Sequence, residues 1–240
     1  MCCTANCNHN VSCFSIVPVF QGMNTKDLTI LQSVTKSRCY KKGEFIFREG
    51  ERSETLFIIN SGLIKFSKVS EEGKEQILRL LFKGDFFGQF ALLQNEDHYA
   101  DAEALDETII CSIDKKFFLD TLKYNPTMAV HFINALNNRL FHADEWMSLL
   151  SLMDVEQRLA RVLLLFYEKL DITNNQFTLP ITKRDLASLI GTTPETLSRK
   201  LVAFSAQQLI SLKQPRAIQV VNFDQLKLLA GQLGERAVAL

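Results

Sequence analysis

Two groups of residues in this chain have side chains and spacings suited to chemistry. The first is a set of thiols. Cys2, Cys3, Cys7 and Cys13 crowd the first thirteen residues, whereas Cys39 and Cys111 stand alone among 240 residues. In a reducing compartment such clustering points to metal or redox chemistry more than to structural disulfides. Cys3-x3-Cys7-x5-Cys13 with one distant cysteine supplies four thiolates, the number a cubane 4Fe–4S cluster takes.

The second group lies in the stretch ITKRDLASLIGTTPETLSRKLVAF, which ends at Phe204. It reads as two short helices joined by a tight turn. In the second helix Leu197, Leu201 and Phe204 fall at i, i+4 and i+7, an apolar stripe that must be buried. Glu195, Ser198 and Arg199 fall at i, i+3 and i+4 on another face. Arg199 can donate two bonds to guanine O6 and N7, Glu195 can accept from cytosine N4, and Ser198 can meet a base or a thymine methyl. On a generic helix Glu195 and Arg199 would be an i,i+4 surface ion pair worth a few tenths of a kcal/mol. Here the adjoining turn and basic surroundings favour a recognition helix of a helix-turn-helix. Ala187 and Gly191 allow the helices to approach and the turn to form. Thr193 caps the second helix, with Pro194 at its first position. Thr182, Lys183, Thr192, Thr193 and Lys200 are candidates for phosphate contacts, which set register without reading sequence.

Charge distribution agrees with that reading. Lys plus Arg equals Asp plus Glu over the chain, 27 each. From Pro180 onward, however, eight basic residues face four acids, a net +4 that leaves −4 elsewhere. A basic C-terminal third suits a phosphate backbone.

Other elements must position these groups. A short helix is expected at Thr25–Val34. Between Tyr40 and Asp114 the pattern is β-rich, with strands at Glu44–Phe47, Thr55–Ile59, Leu63–Val69, Glu75–Phe82 and Glu107–Ile113. Turns at Gly43, Gly50, Gly62, Gly73 and Gly84 separate them, which suggests a small antiparallel barrel or sandwich. The alternation in Leu63–Val69 implies a strand with two different environments. A short helix around Lys115–Lys123 precedes a break at Asn125-Pro126. A long helix then starts near Thr127, with Ile133, Leu136, Leu140, Ala143, Met147 and Leu150 stepping by three and four. That heptad seam is the signature of a two-stranded coiled coil and predicts a parallel homodimer, with the core helix of a monomer as the alternative. Asp154 ends the seam. A helix over Val155–Leu170, a short strand FTLPI and a final pair of strands, LISLK and AIQVV, complete the chain. The last two form a wing with Lys213 and Arg216 at its turn.

The expected organisation is therefore a cysteine-rich segment at 1–24, a β-rich sensor domain at 25–125, a dimerisation helix at 126–153 and a DNA-binding domain at 154–240. No apolar run is long enough to span a membrane, and no signal-peptide pattern opens the chain, so a cytoplasmic protein is expected. An enzyme is not expected, since the chain has no phosphate-binding glycine loop, nucleophile elbow or metal-hydrolase motif.

The motifs Gly43-Glu44-x-Ile46-x-x-x-Gly50, Ile59-Asn60-Ser61-Gly62 and Gly84-Asp85-Phe86-Phe87-Gly88 resemble, in that order, the β-roll of the cyclic-nucleotide-binding superfamily. With the long seam helix and the C-terminal winged helix-turn-helix, nearly the whole chain resembles the CRP/FNR transcription regulators, an α+β architecture. Glu195-Thr-Leu-Ser198-Arg199 matches the E-x-x-S-R motif of the FNR branch. The resemblance implies a homodimer on a palindromic double-stranded operator with TTGAT-like half-sites. It also implies contacts with RNA polymerase, for which the loop near Asp85 is a candidate.

For the effector, the resemblance implies a 4Fe–4S cluster held by three N-terminal cysteines and one in the β-roll. Cys3, Cys7, Cys13 and Cys111 match those places. The spacing departs from the C-x2-C common in that family, which leaves Cys2 as an alternative to Cys3. A thiol–disulfide switch joining Cys3 or Cys7 to Cys111 uses the same residues without iron. Cyclic nucleotide fits poorly. Gln89 stands where nucleotide binders carry glutamate, and EDHYADA at 96–102 lacks their arginine. Haem fits no better, with His9, His98, His131 and His142 scattered.

Overall fold

The computed structural model describes residues 17–20, 23, 25–170, 172, 175–213 and 216–231. Its contacts divide the chain into two units. One comprises residues up to Lys68 with Leu78–Arg139, and the other Val69–Ile77 with residues from Leu140 onward.

The first unit is a roll of two four-stranded antiparallel sheets behind a helical cover. Helix α1 (Thr25–Val34) leads into β1 (Lys36–Tyr40), β2 (Phe45–Phe47), β3 (Thr55–Ser61), β4 (Ile64–Val69) and β5 (Glu75–Leu81). These are followed by β6 (Phe86–Phe87), α2 (Gln89–Gln94), β7 (Asp101–Ala104), β8 (Thr108–Asp114) and α3 (Lys115–Tyr124). The sheets run β1-β8-β3-β6 and β2-β7-β4-β5. Successive residues of one strand serve opposite faces. Ile110 and Ile59 enter the roll interior with Phe47, Phe66 and Phe87. Their neighbours Cys111 and Ile58 enter a second core with Phe118 of α3 and with Val17, Val19, Phe20 and Met23.

All five turns inferred from glycine have that residue at positive φ. At Gly62 the requirement is also steric: a Cβ there would lie 2.3 Å from Thr108 Oγ1 and 2.7 Å from its Cα.

Three strands and one helix of this unit escape the sequence pattern, as does the helix Phe223–Leu229 after the last strand. β1 is largely exposed and polar, and it exists because β8 offers a partner edge from Lys36↔Ser112 to Tyr40↔Thr108. β7 turns only Ala102 and Ala104 inward, residues too small to signal a strand. β6 is two residues long, and α2 follows it directly. The alternation in β4 also reads differently in three dimensions. Ile64, Lys65, Phe66 and Ser67 are all buried, and Lys65 is tolerated because Glu103 opposite it on β7 accepts an ion pair at 2.7 Å. A buried ammonium requires such a partner.

His98 shows how burial acts on a titrating group. It is 4% exposed and stacks on Phe47 with ring centroids 3.4 Å apart. Burial lowers its pKa from 6.5 to about 4, only partly opposed by Glu51 and Asp97. The unfolded chain therefore takes up a proton below pH 6.5 that the folded chain refuses until pH 4. The resulting stability is complete above pH 6.5 and is lost as pH falls, at up to about 1.4 kcal/mol per pH unit. Urea midpoints measured from pH 7 to 4.5 should fall less steeply for His98→Phe than for the wild type.

Helix α4 (Pro126–Leu152) continues from the first unit into the second. The Asn125 side chain accepts from Met128 N at 3.0 Å at its start. After it come α5 (Val155–Lys169), β9 (Gln176–Thr178), α6 (Lys183–Leu189), α7 (Pro194–Ala206), β10 (Ile210–Leu212), β11 (Ala217–Val220) and α8 (Phe223–Leu229). Asp154 caps α5 in a capping box with Gln157, which explains why the seam helix stops there. The three strands form one antiparallel sheet, β10-β11-β9.

Candidate nucleic-acid interface and sensor thiol

The recognition element is built from the inside out. Leu197, Leu201 and Phe204 of α7 are each no more than 1% exposed, as are Leu186, Ala187 and Leu189 of α6. This shared core fixes the two helices against each other. Between them Gly191 takes φ 65, and Thr192 N donates to Ala187 O at 2.9 Å. Thr193 caps α7 by accepting from Thr196 N, and Pro194 follows at the helix start. Thr182 caps α6 in a capping box with Asp185.

Burying one stripe leaves the other outside. Glu195 and Arg199 are exposed and Ser198 half-buried. Among the described residues Glu195 and Arg199 form no ion pair; the Arg199 guanidinium instead lies 3.4 Å from Thr196 Oγ1. Both charges thus remain available to a ligand. The candidate phosphate contacts differ in their freedom. Thr182, Lys183 and Thr193 are exposed and Thr192 half-buried. Lys200 is held by Glu156 at 2.5 Å. In the wing Lys213 is exposed, whereas Arg216 donates to Leu179 O at 2.9 Å and braces the sheet.

The matching of the chain to two domain models decides what carries this interface. A cyclic nucleotide-binding domain matches residues 37–125, and a Crp-like helix-turn-helix domain matches 157–229. The chain belongs to the CRP/FNR family of transcription regulators. It is accordingly a DNA-binding regulator and not an enzyme. The fumarate and nitrate reduction regulatory protein of Vibrio cholerae is 29% identical over 213 residues, covering 87% of this chain and 84% of that one. The cyclic AMP receptor protein of Thermus thermophilus is 29% identical over 195 residues, covering 81% and 88%. The structure of FixK2 from Bradyrhizobium japonicum superimposes with a TM-score of 0.76 at 26% identity, covering 84% of this chain and all of that one.

In this regulator the helix α4 presents an exposed apolar stripe. Ile133, Leu140 and Met147, seven residues apart, are 62%, 61% and 64% exposed, and Val130 and Phe141 are exposed beside them. The other side of the same helix is sunk into the first unit through Met128 and Phe132. Leu136, another residue of the expected seam, packs partly against that core.

Of the cysteines expected to act as sensors, Cys2, Cys3, Cys7 and Cys13 lie outside the described residues. Cys111 is fully buried on the helix-covered face of its sheet, with Ser37 Oγ 3.5 Å from its Sγ. It is disulfide-bonded in this structure. It shares its core with Val17, Val19, Phe20 and Met23, and with Met128 and Phe132 of α4. Cys39 is only partly buried, and its thiol donates to Glu107 Oε1 at 3.8 Å.

The sequence pattern also missed a basic pair in the roll. No arginine was to be found at 96–102, but tertiary folding brings Arg79 of β5 to Tyr99, donating to its hydroxyl at 3.3 Å, and lays it over Phe66. Arg139 of α4 lies over Phe86 and donates to its carbonyl at 2.5 Å. Burial and the charge of Arg79 lower its pKa to about 10, against the pull of Asp85 and Tyr99, so it stays cationic. Arg79 Nε and Arg139 Nη1 have no hydrogen-bond partner among the described residues. No spacing rule links positions 60 residues apart, which is why only the fold reveals them. Asp85, in the loop considered for polymerase contact, is turned to its own backbone and accepts from Phe82 N at 2.8 Å.

Proposed function

We propose that the protein is a redox- or oxygen-responsive regulator that binds, as a homodimer, inverted repeats with TTGAT-like half-sites. The observation that carries this reading is the open face of α7. Glu195, Ser198 and Arg199 stand on one exposed side of a capped helix whose opposite side is buried. Arg199 reads a guanine, Glu195 accepts from a cytosine, and Ser198 contacts a neighbouring base, while Thr182, Lys183, Thr192, Thr193 and Lys200 line the phosphates. Lys200 reaches DNA only by exchanging Glu156 for a phosphate. The E-x-x-S-R residues support TTGAT-like half-sites, and the heptad-spaced exposed stripe of α4 supports the homodimer. RNA polymerase is the further partner expected of such a regulator in the cytoplasm.

For the sensor, Cys3, Cys7 and Cys13, with Cys2 as an alternative to Cys3, join Cys111 as ligands of a 4Fe–4S cluster. When bound, the cluster supplies iron–thiolate and iron–sulfide bonds that oxygen attacks. The placement of Cys111 fits such a role. Val17, Val19, Phe20 and Met23 lie in the core that holds Cys111, and Cys13 is only four positions before Val17 in the sequence. Phe132 packs in that core while its neighbour Ile133 stands on the exposed stripe. Seating or releasing the N-terminal segment on this face therefore bears directly on the helix that forms the dimer. The disulfide at Cys111 favours a second reading, a thiol–disulfide switch through the same residues.

DNA reading is tested by Arg199→Ala. Its affinity for the operator should fall by about 1–3 kcal/mol, with relaxed preference at one base pair. A loss that is uniform over all sequences would assign Arg199 to phosphate instead. Anisotropy titrations against duplexes varied one base pair at a time read both quantities.

A further inference from the structure

The face of α7 that carries Glu195, Ser198 and Arg199 does not end there. One helical turn on from Arg199, at i+7 from Glu195, it presents Val202. This valine is 63% exposed, although the apolar residues on the far side of the same helix are at most 1% exposed. The side chain has no hydrogen-bonding group, so it can offer a ligand only shape and apolar surface. In the major groove, base edges are rows of donors and acceptors with one apolar group among them, the C5-methyl of thymine. Val202 lies about 4.5 Å along the helix axis from Arg199, between one and two base-pair rises of about 3.4 Å.

We propose that Val202 is a specificity-determining residue that packs on the C5-methyl of a thymine adjoining the base pair read by Arg199. The proposal rests on α7 being the recognition helix. It adds a fourth reader, one that selects by burying a methyl and not by hydrogen bonding. It also accounts for an exposed β-branched apolar residue on a face otherwise made of polar ones. Alanine at this position keeps the helix and removes the contact. Because the residue is exposed, the substitution leaves the core of the helix pair untouched.

Deoxyuridine provides the test, since it differs from thymidine only by the missing methyl. Full-length protein, handled anaerobically, is titrated against the operator and against duplexes in which each thymine in turn is replaced by deoxyuridine. The wild type should lose about fourfold in affinity at one thymine, the equivalent of one methyl left unburied. Val202→Ala should lose a similar factor on the unmodified operator and show no further loss at that deoxyuridine. The inference is overturned if no single replacement weakens the wild type, or if Val202→Ala keeps the full sensitivity to the missing methyl. Arg199→Ala in the same series keeps the two claims apart. If Arg199→Ala fails to weaken binding, the recognition-helix reading itself falls. If it weakens binding while Val202→Ala and the deoxyuridine duplexes behave like the wild type, only the role of Val202 falls.

Discussion

Replacing Leu140 by glutamate should leave the protein monomeric and lower its affinity for an inverted-repeat operator by at least about 100-fold. Leu140 sits midway between Ile133 and Met147 on the exposed stripe, itself 61% exposed, so the substitution strains nothing within one chain. Across a parallel two-stranded seam, however, each such position faces its own copy. Two carboxylates would then meet where two leucines were to be buried. That loses about 1.5–3 kcal/mol for each leucine before any charge repulsion. The effect on DNA is larger than on either half-site contact alone. Joining two reading heads raises affinity by about 10²–10⁴ without new contacts, and a monomer forfeits that gain. Sedimentation gives the oligomeric state and anisotropy the operator affinity. Leu140→Ile should retain both. A glutamate variant that still sediments as a dimer would show that this stripe is not the dimer interface.

Replacing Cys111 by serine should abolish iron and sulfide binding by anaerobically reconstituted protein, while Cys39→Ser should leave both unchanged. A cubane cluster needs four thiolates, and among the described residues only Cys39 and Cys111 are cysteines. Their environments separate them. Cys111 is buried in the core that also holds Val17, Val19, Phe20 and Met23, whereas Cys39 is only partly buried, on an edge strand beside Glu107. The wild type should absorb near 400 nm, bleach in air, and carry about four irons per chain. Cys111→Ser should be colourless. If the wild type itself holds no iron or sulfide after reconstitution, the cluster reading fails. The thiol–disulfide switch then takes its place, with Cys111→Ser expected to lose the oxidised cross-link on a non-reducing gel.

What the sequence by itself determined is concentrated where local chemistry is strict. The turn at Gly191, the cap at Thr193, Pro194 at the helix start and the buried stripe through Leu197, Leu201 and Phe204 are all present in the structure. Each is a rule about residues within one or two turns of one another. The end of the seam was legible because Asp154 would put a charge at its next core position; that Asp154 also caps the following helix is visible only in the structure. The β-rich segment was legible in outline, since glycines at positive φ mark its turns.

Tertiary structure alone decided the rest. Strand β1 is polar and β7 is built on alanines, so only the partner strands make them strands. Lys65 could be buried because Glu103 faces it across a strand pair nearly 40 residues away in the chain. Arg79 and Arg139 come close enough for the charge of one to act on the other although 60 positions separate them in sequence. For the thiols, the resemblance had already singled out Cys111, and the fold adds only their burial, Cys111 in the core and Cys39 partly buried. Val202 stands out only in the fold. Its type is ordinary, and only knowing which side of α7 is buried shows that it faces outward beside Arg199. Local periodicity says which residues share a face, but which face meets water is settled only when the neighbouring elements pack.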